Sequence, residues 1–219
     1  MIESRIPSAP TTLYARFMKR LCDLVVASLA LVVALPLMVV TGLAVLVVLG
    51  PPILYREERA GMGGVPIQIA KFRSMTQAAD ASGQPLPDAA RLGVFGRVLR
   101  RTSLDELPQL FSVVRGDMSL IGPRPLPMRY VPRYNPRQAS RLLVRPGLTG
   151  WAQVHGRNAV AWPERLEFDA RYVEMLGQPG AVLTDLWIAS LTAFQMVAQA
   201  ITGRGIAAPG TATMQEFAP

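Results

Sequence analysis

The sequence predicts a mainly α fold with a small β element, an α+β chain in which one apolar helix accompanies a compact polar unit. Three observations predict it. Residues 24–49 run for 26 positions without a charge, residues 181–201 carry an apolar stripe at helical spacing, and only residues 65–72 alternate as a short strand does. With 219 residues the chain has room for one catalytic-sized unit and extra elements, and little room for a many-helix membrane bundle besides.

The first element, residues 24–49, is long enough to cross a bilayer core of about 30 Å. It exceeds the h-region of a signal peptide, and no small-residue cleavage pattern closes it. Near its middle stands Pro36, which lacks an N–H and clashes with the preceding turn, so a membrane break is expected there. Arg16, Lys19 and Arg20 precede the segment and Arg56 and Arg59 follow it, so the flanking charges leave a spanning helix and a re-entrant one both open.

Next comes a polar, basic stretch rich in Gly and Pro. Residues 65–72 predict a strand after the turn glycines Gly61, Gly63 and Gly64, and residues 78–90 read as an exposed loop. Short helices are expected at 95–99, 107–114, 137–143 and 163–176. In the last element, Leu183, Leu186, Trp187, Leu191, Phe194, Ala198 and Ile201 share one face, interrupted by Asp185, Gln195 and Gln199 elsewhere on the helix. Packing on the domain and lying in a membrane interface suit that stripe equally.

Composition narrows the partners. Lys and Arg outnumber Asp and Glu by 23 to 15, and half of the residues are hydrophobic. Apolar and basic together point to an anionic membrane lipid surface or to phosphate-bearing ligands. Nucleic acid is not the expected partner, because the cations are scattered among Gly and Pro instead of grouped on one helix with interleaved aromatics. Cys22 is the single cysteine, which rules out an intramolecular disulfide within the sequence.

The most informative stretch is RRTSLDELPQL at 100–110. Ser103 and Glu106 have the spacing of a capping box, yet Pro108 would then fall inside the helix where an N–H should donate. A helix starting later suits Pro108 better. Asp105 and Glu106, adjacent carboxylates beside Arg100 and Arg101, have the composition of a site for Mg²⁺ and a phosphate, since Mg²⁺ takes one or two carboxylates plus substrate oxygens. A carboxylate also serves as a nucleophile at phosphorus. Two Gly/Pro turns carry arginine: GPRPL at 122–126 with Arg124, and RPGLTG at 145–150 with Arg145 and Gly147. Guanidinium forks and exposed N–H groups match diphosphate oxygens.

The runs KFRSM (71–75), TSLDELPQ (102–109), GPRPL (122–126) and PGLTGWAQVHGRN (146–158), with Phe168-Asp169 before Tyr172-Val173, closely resemble the bacterial sugar transferase family. Its small members are monotopic polyprenyl-phosphate phosphoglycosyl transferases, and the resemblance covers about residues 14–203. It implies a proline-broken re-entrant membrane helix, interfacial amphipathic helices around a compact cytoplasmic catalytic domain, and an active site at the cytoplasmic face of the bacterial inner membrane. The implied organisation is a basic lead-in (1–20), the re-entrant helix (21–50), the catalytic domain (51–203) and a tail (204–219). The implied activity moves a sugar 1-phosphate from a UDP-sugar to polyprenyl (undecaprenyl) phosphate with Mg²⁺ as cofactor, at the first membrane step of glycan assembly, ahead of downstream glycosyltransferases. Asp105 would be the nucleophile and Glu106 its partner, both also Mg²⁺ ligands. Arg100, Arg124, Lys71, Arg73, Arg145, Gly147, Gln153 and Arg157 are the substrate- and phosphate-binding candidates.

Residues 156–159 and 210–217 resemble members that use N-acetylated amino sugars, including diacetylated bacillosamine. Two departures stand out: Leu35, where relatives often place Ser before the breaking proline, and His155, where Asn is common. The lone His is expected to be a turn residue rather than a ligand. A transferase with direct attack by the acceptor, and a non-catalytic membrane-anchored adaptor binding anionic lipid or phosphate, are the alternatives.

Overall fold

The computed structural model describes residues 6–156, 160–202 and 217. A π turn at Tyr14–Met18 runs directly into α1 (Lys19–Leu49), and the helix continues through Pro36. At 31 residues α1 is about 46 Å long. Its buried positions, Lys19, Asp23, Ala27, Met38, Thr41, Gly42 and Val45, follow one face at steps of three and four, with Leu31 and Ala34 half-buried between them. Both halves therefore touch the rest of the chain: Ala27 packs with Leu110 and Val113, and Val45 with Phe72 and Leu99.

Strands β1 (Leu54–Ala60) and β2 (Pro66–Phe72) form an antiparallel pair in which Tyr55 faces Lys71. β2 is where alternation predicts a strand. β1 was not expected because LYREERA has no apolar alternation; its register comes from pairing with β2. After α2 (Asp88–Arg91) and α3 (Val94–Arg101), a 3-10 turn at Leu104–Glu106 leads to α4 (Gln109–Arg115). Ser103 makes no side-chain cap. It takes a left-handed conformation at φ 57°, and Pro108 is the N-cap of α4, so the later helix start is the one found.

β3 (Ser119–Ile121) pairs in parallel with β4 (Gly147–Thr149), and α5 (Pro136–Ala139) lies between them in sequence under an Asn135/Gln138 capping box. α6 (Trp151–Val154), α7 (Trp162–Leu176) and α8 (Ala181–Thr202) complete the described fold. Tyr172, Val173 and Leu176 of α7 meet Ile188 of α8 and Ile121 of β3 in one core cluster.

α8 is turned opposite to a core helix. Its inward residues are Ala181, Asp185 and Ile188, with Thr192 bonded to Thr149 at 2.7 Å and Gln195 donating to the Val154 carbonyl at 2.8 Å. Leu183, Phe194 and Ile201 of the predicted stripe are 67%, 71% and 73% exposed. The polar residues satisfy the domain and most of the apolar stripe faces outward, Leu191 excepted, so the stripe does not serve to pack α8 on the domain. α1 shows the same pattern along Leu29, Val32, Val33, Val40 and Val47, and both helices are long and apolar enough to cross a membrane.

A buried polar cluster ties these two helices together. Lys19 Nζ and the Tyr14 hydroxyl both donate to Asp185 Oδ2 at 2.7 Å, while the Tyr172 hydroxyl donates to Oδ1 at 2.9 Å. Asp23 accepts from the Leu120 amide at 3.0 Å. An ion pair this deeply buried holds only because its remaining lone pairs are hydrogen-bonded.

Candidate active site

The site forms where the end of β2, the 3-10 turn and the GPRPL loop converge. Ser103 in its left-handed turn stops α3 and redirects the chain, so that Asp105 and Glu106 project from a one-turn element instead of a long helix. α3 approaches the segment after β2 closely: a Cβ on Gly96 would lie 1.8 Å from the Ser74 carbonyl oxygen. That approach brings Arg100 Nε to 3.0 Å from Ser74 Oγ and sets its charge near Asp105.

Glu106 is held from two sides by its Oε1, 3.0 Å from Lys71 Nζ and 2.8 Å from Arg124 Nη2. Arg124 and Lys71 hold the carboxyl of Glu106 far below the usual range despite its burial. Asp105 behaves oppositely. It is 8% exposed, and burial first, then the neighbouring Glu106 charge, push its carboxyl up to about 6 against the pull of Lys71, Arg100 and Arg124. Among the described residues no hydrogen bond or ion pair engages the Asp105 carboxylate, and Oε2 of Glu106 has no hydrogen-bond partner either. The pair thus combines a fixed, ionised carboxylate with a second one that carries open oxygens.

Those open oxygens fit a Mg²⁺ ion. The described residues contain no group of three or more His, Cys, Asp or Glu side chains placed for a metal, so a full protein cage is not on offer. One or two carboxylates, completed by phosphate oxygens and water, is the ligation Mg²⁺ prefers.

Asp105, Glu106, Lys71, Arg100 and Arg124 are therefore brought together. Arg73 and Arg145 are not: both side chains are taken up by backbone carbonyls. Arg73 is buried and donates to the carbonyls of Leu49, Gly50 and Pro51, capping the C-terminus of α1. Arg145 Nε donates to Gly116 at 2.9 Å, and beside it Arg20 reaches Val113 and Val114, so the end of α4 is capped twice over. Gly147 serves close packing in β4, since a Cβ there would lie 2.1 Å from the Gly122 amide nitrogen. Gln153 donates to the Leu148 carbonyl at 3.3 Å, and Arg157 lies outside the described residues. His155 packs its ring 4.4 Å from Trp151 and 5.0 Å from Phe168.

One pair escaped the sequence reading. Arg141 and Asp169, both buried, meet at 2.9 Å, and Arg141 also donates to the Arg124 carbonyl and to the Tyr134 hydroxyl. Burial raises the Asp169 carboxyl to about 6 in spite of Arg141 and Arg165. The one sequence signal for it was Phe168-Asp169 within the family-like runs.

A family model described as bacterial sugar transferase matches residues 14–199, which takes in α1, the dyad and most of α8. The chain belongs to the bacterial sugar transferase family. Among its relatives the uncharacterized sugar transferase EpsL of Bacillus subtilis is 40% identical over 91% of this chain and 95% of that protein. The UDP-N-acetylgalactosamine-undecaprenyl-phosphate N-acetylgalactosaminephosphotransferase of Aeromonas hydrophila is 36% identical over 90% of this chain. The UDP-glucose:undecaprenyl-phosphate glucose-1-phosphate transferase of Escherichia coli is 36% identical over 82%. This bacterial sugar transferase spans only 46% and 40% of those last two proteins.

Proposed function

We propose that this bacterial sugar transferase moves a sugar 1-phosphate from a UDP-sugar to undecaprenyl phosphate through a covalent Asp105 intermediate. The observation that carries the reading is the division of labour in the dyad: Arg124 and Lys71 fix Glu106, while Asp105 keeps unengaged oxygens beside three cations. The named activities of the Aeromonas and Escherichia relatives support the reaction class.

In the proposed sequence, a carboxylate oxygen of Asp105 attacks the β-phosphorus of the UDP-sugar. The bond from that phosphorus to the bridging oxygen breaks, and UMP leaves with the oxygen and its electron pair. An oxygen of undecaprenyl phosphate then attacks the same phosphorus, the bond to Asp105 breaks, and the carboxylate is restored as the diphosphate-linked sugar departs. Arg124, Lys71 and Arg100 stabilise charge on the phosphoryl oxygens, with Glu106 orienting the first two. Asp105 and Glu106 are the residues that would hold Mg²⁺, which when bound neutralises phosphate charge.

The reading of the catalytic unit as sitting on the cytoplasmic face of the inner membrane, with α1 held against it, is supported by both halves of α1 touching that unit, whereas the break expected at Pro36 is not found, α1 being one helix from Lys19 to Leu49. A helix leaving the domain along the membrane normal would contact it at one end only. For the sugar, an N-acetylated amino sugar is favoured by the Aeromonas relative, which aligns over more of this chain than the glucose enzyme does.

Intact-mass measurement after brief exposure to UDP-sugars without acceptor is the test. Gain of one phosphosugar on the native protein, and none on Asp105→Asn, is the expected result. UMP release with no adduct under single turnover points instead to direct attack by the acceptor.

A further inference from the structure

Beyond α8, Phe217 is buried in a box of aromatic rings, and nothing in the reaction above uses it. Its ring centroid lies 5.5 Å from that of Tyr130, 5.4 Å from Trp162 and 6.0 Å from Tyr134, with Leu126 and Leu166 completing the cluster. The backbone is held as well: the Phe217 amide donates to the Tyr130 hydroxyl at 3.1 Å, and its carbonyl accepts from Arg133 Nη1 at 2.7 Å. Ring contacts plus two polar bonds on a single residue specify a seat, where a collapsed apolar side chain would need only burial.

The seat adjoins the GPRPL loop. Leu126, in the same cluster as the Phe217 ring, is two residues from Arg124, and its carbonyl accepts from the Ala60 amide at 2.9 Å, fastening the loop to β1. A second route is polar. Tyr134 touches Phe217 with its ring and accepts from Arg141 Nη1 at 2.9 Å with its hydroxyl, and the same guanidinium donates to the Arg124 carbonyl. Both routes end on the backbone that aims Arg124 at Glu106.

We propose that Phe217 is a positioning residue for the reaction, acting through Arg124 by way of Leu126 and the Tyr134–Arg141 pair. The proposal rests on the catalytic reading of Arg124 given above. Phe217 touches neither substrate nor dyad; its removal lets the loop drift, and misplacement of a phosphate-binding group by about 1 Å costs on the order of 100-fold in rate.

The experiment measures UMP release and thermal unfolding for full-length Phe217→Ala, Tyr134→Phe, Arg124→Lys and the double variant Phe217→Ala/Arg124→Lys, all in one detergent. Phe217→Ala is expected to lower the unfolding temperature, since a buried ring is lost, and to lower kcat/KM for the UDP-sugar by about 10-fold to 100-fold even when assayed well below that temperature. Tyr134→Phe, which keeps its ring and loses only the hydroxyl, is expected to reproduce part of that loss. In the Arg124→Lys background the Phe217→Ala effect should shrink to within about twofold, because coupled residues are non-additive. Full additivity in that background overturns the proposal, as does a loss of activity that disappears when each variant is assayed well below its own unfolding temperature. If Arg124→Lys alone behaves as the native protein, the catalytic assignment of Arg124 fails first, and it fails visibly apart from Phe217.

Discussion

Arg124 Nη2 stands 2.8 Å from Oε1 of Glu106, on the same oxygen that Lys71 reaches at 3.0 Å. A single carboxylate oxygen therefore gathers two cations from elements far apart in sequence, and both act electrostatically on Asp105 beside it. Such preorganised charge acts on a developing phosphoryl charge without reorganisation at the moment of reaction. Asp105, one residue away, gains nothing from this arrangement in bonds; it gains a neighbourhood.

The rate is expected to fall as pH drops through about 6. Attack requires ionised Asp105, whose carboxyl sits at about 6 because of burial and the Glu106 charge. In Glu106→Gln one of those two raising causes is gone and the cations lose their shared partner, so the acidic limb of kcat/KM should move to lower pH while the maximum falls. A pH profile of UMP release for both proteins checks this, and an unmoved limb contradicts it.

Asp105→Asn should abolish turnover and raise stability together. A folded carboxyl at about 6 against an ordinary 3.8 binds its proton more tightly in the native state, so the native protein loses stability as pH climbs from about 4 through 6. Above that window the buried charge costs on the order of 3 kcal/mol, which the neutral isostere avoids. Unfolding at pH 7.5 and at pH 4 should therefore show Asp105→Asn ahead of the native protein at the higher pH only. Glu106 has the reverse sign: its lowered carboxyl contributes stability above its unfolded value and loses it as pH falls.

Much of this site is legible in the sequence. The two acids, Arg100, Arg124 and Lys71 stood in sequence beside turn residues whose chemistry is local, and a strand at β2 followed from alternation. What was not legible depended on partners distant in the chain. Arg73 and Arg145 look like phosphate ligands until the carbonyls of Leu49 to Pro51 and of Gly116 are seen to take them. β1 has no pattern of its own, and the stripe on α8 named the apolar face without saying which side the domain occupied. Periodicity reports that a helix has two faces; only Asp185, Thr192 and Gln195 bonding inward decide which one packs.

Arg73→Met should destabilise the protein while leaving the dyad's chemistry in place. Three carbonyls at the end of α1 lose their charged donor, and with Leu49 and Gly50 half-buried and Pro51 exposed water replaces only part of what is lost. Chemical denaturation should show a loss on the order of 3 kcal/mol. The pH limb of the remaining activity should stay where the native protein has it, whereas a phosphate-binding role for Arg73 would raise KM for the UDP-sugar with stability preserved.

Arg141→Met tests whether the support under Arg124 is as costly to break as its burial implies. The guanidinium and Asp169 are 3% and 2% exposed in their side chains and lie 2.9 Å apart, so removing one leaves a buried carboxylate facing only Arg165 at longer range. Breaking such a pair costs about 3 to 5 kcal/mol, much of it the desolvation of the charge left behind. Asp169 would answer by binding a proton, so the loss should be larger at pH 8 than at pH 5; its folded carboxyl is already raised to about 6 with Arg141 present. The double variant Arg141→Met/Asp169→Leu should recover most of the stability, because no orphan charge remains. It should not recover turnover, since the Arg124 carbonyl still lacks the guanidinium that holds it. Stability regained together with full activity would show that Arg141 matters only as the counter-charge of Asp169.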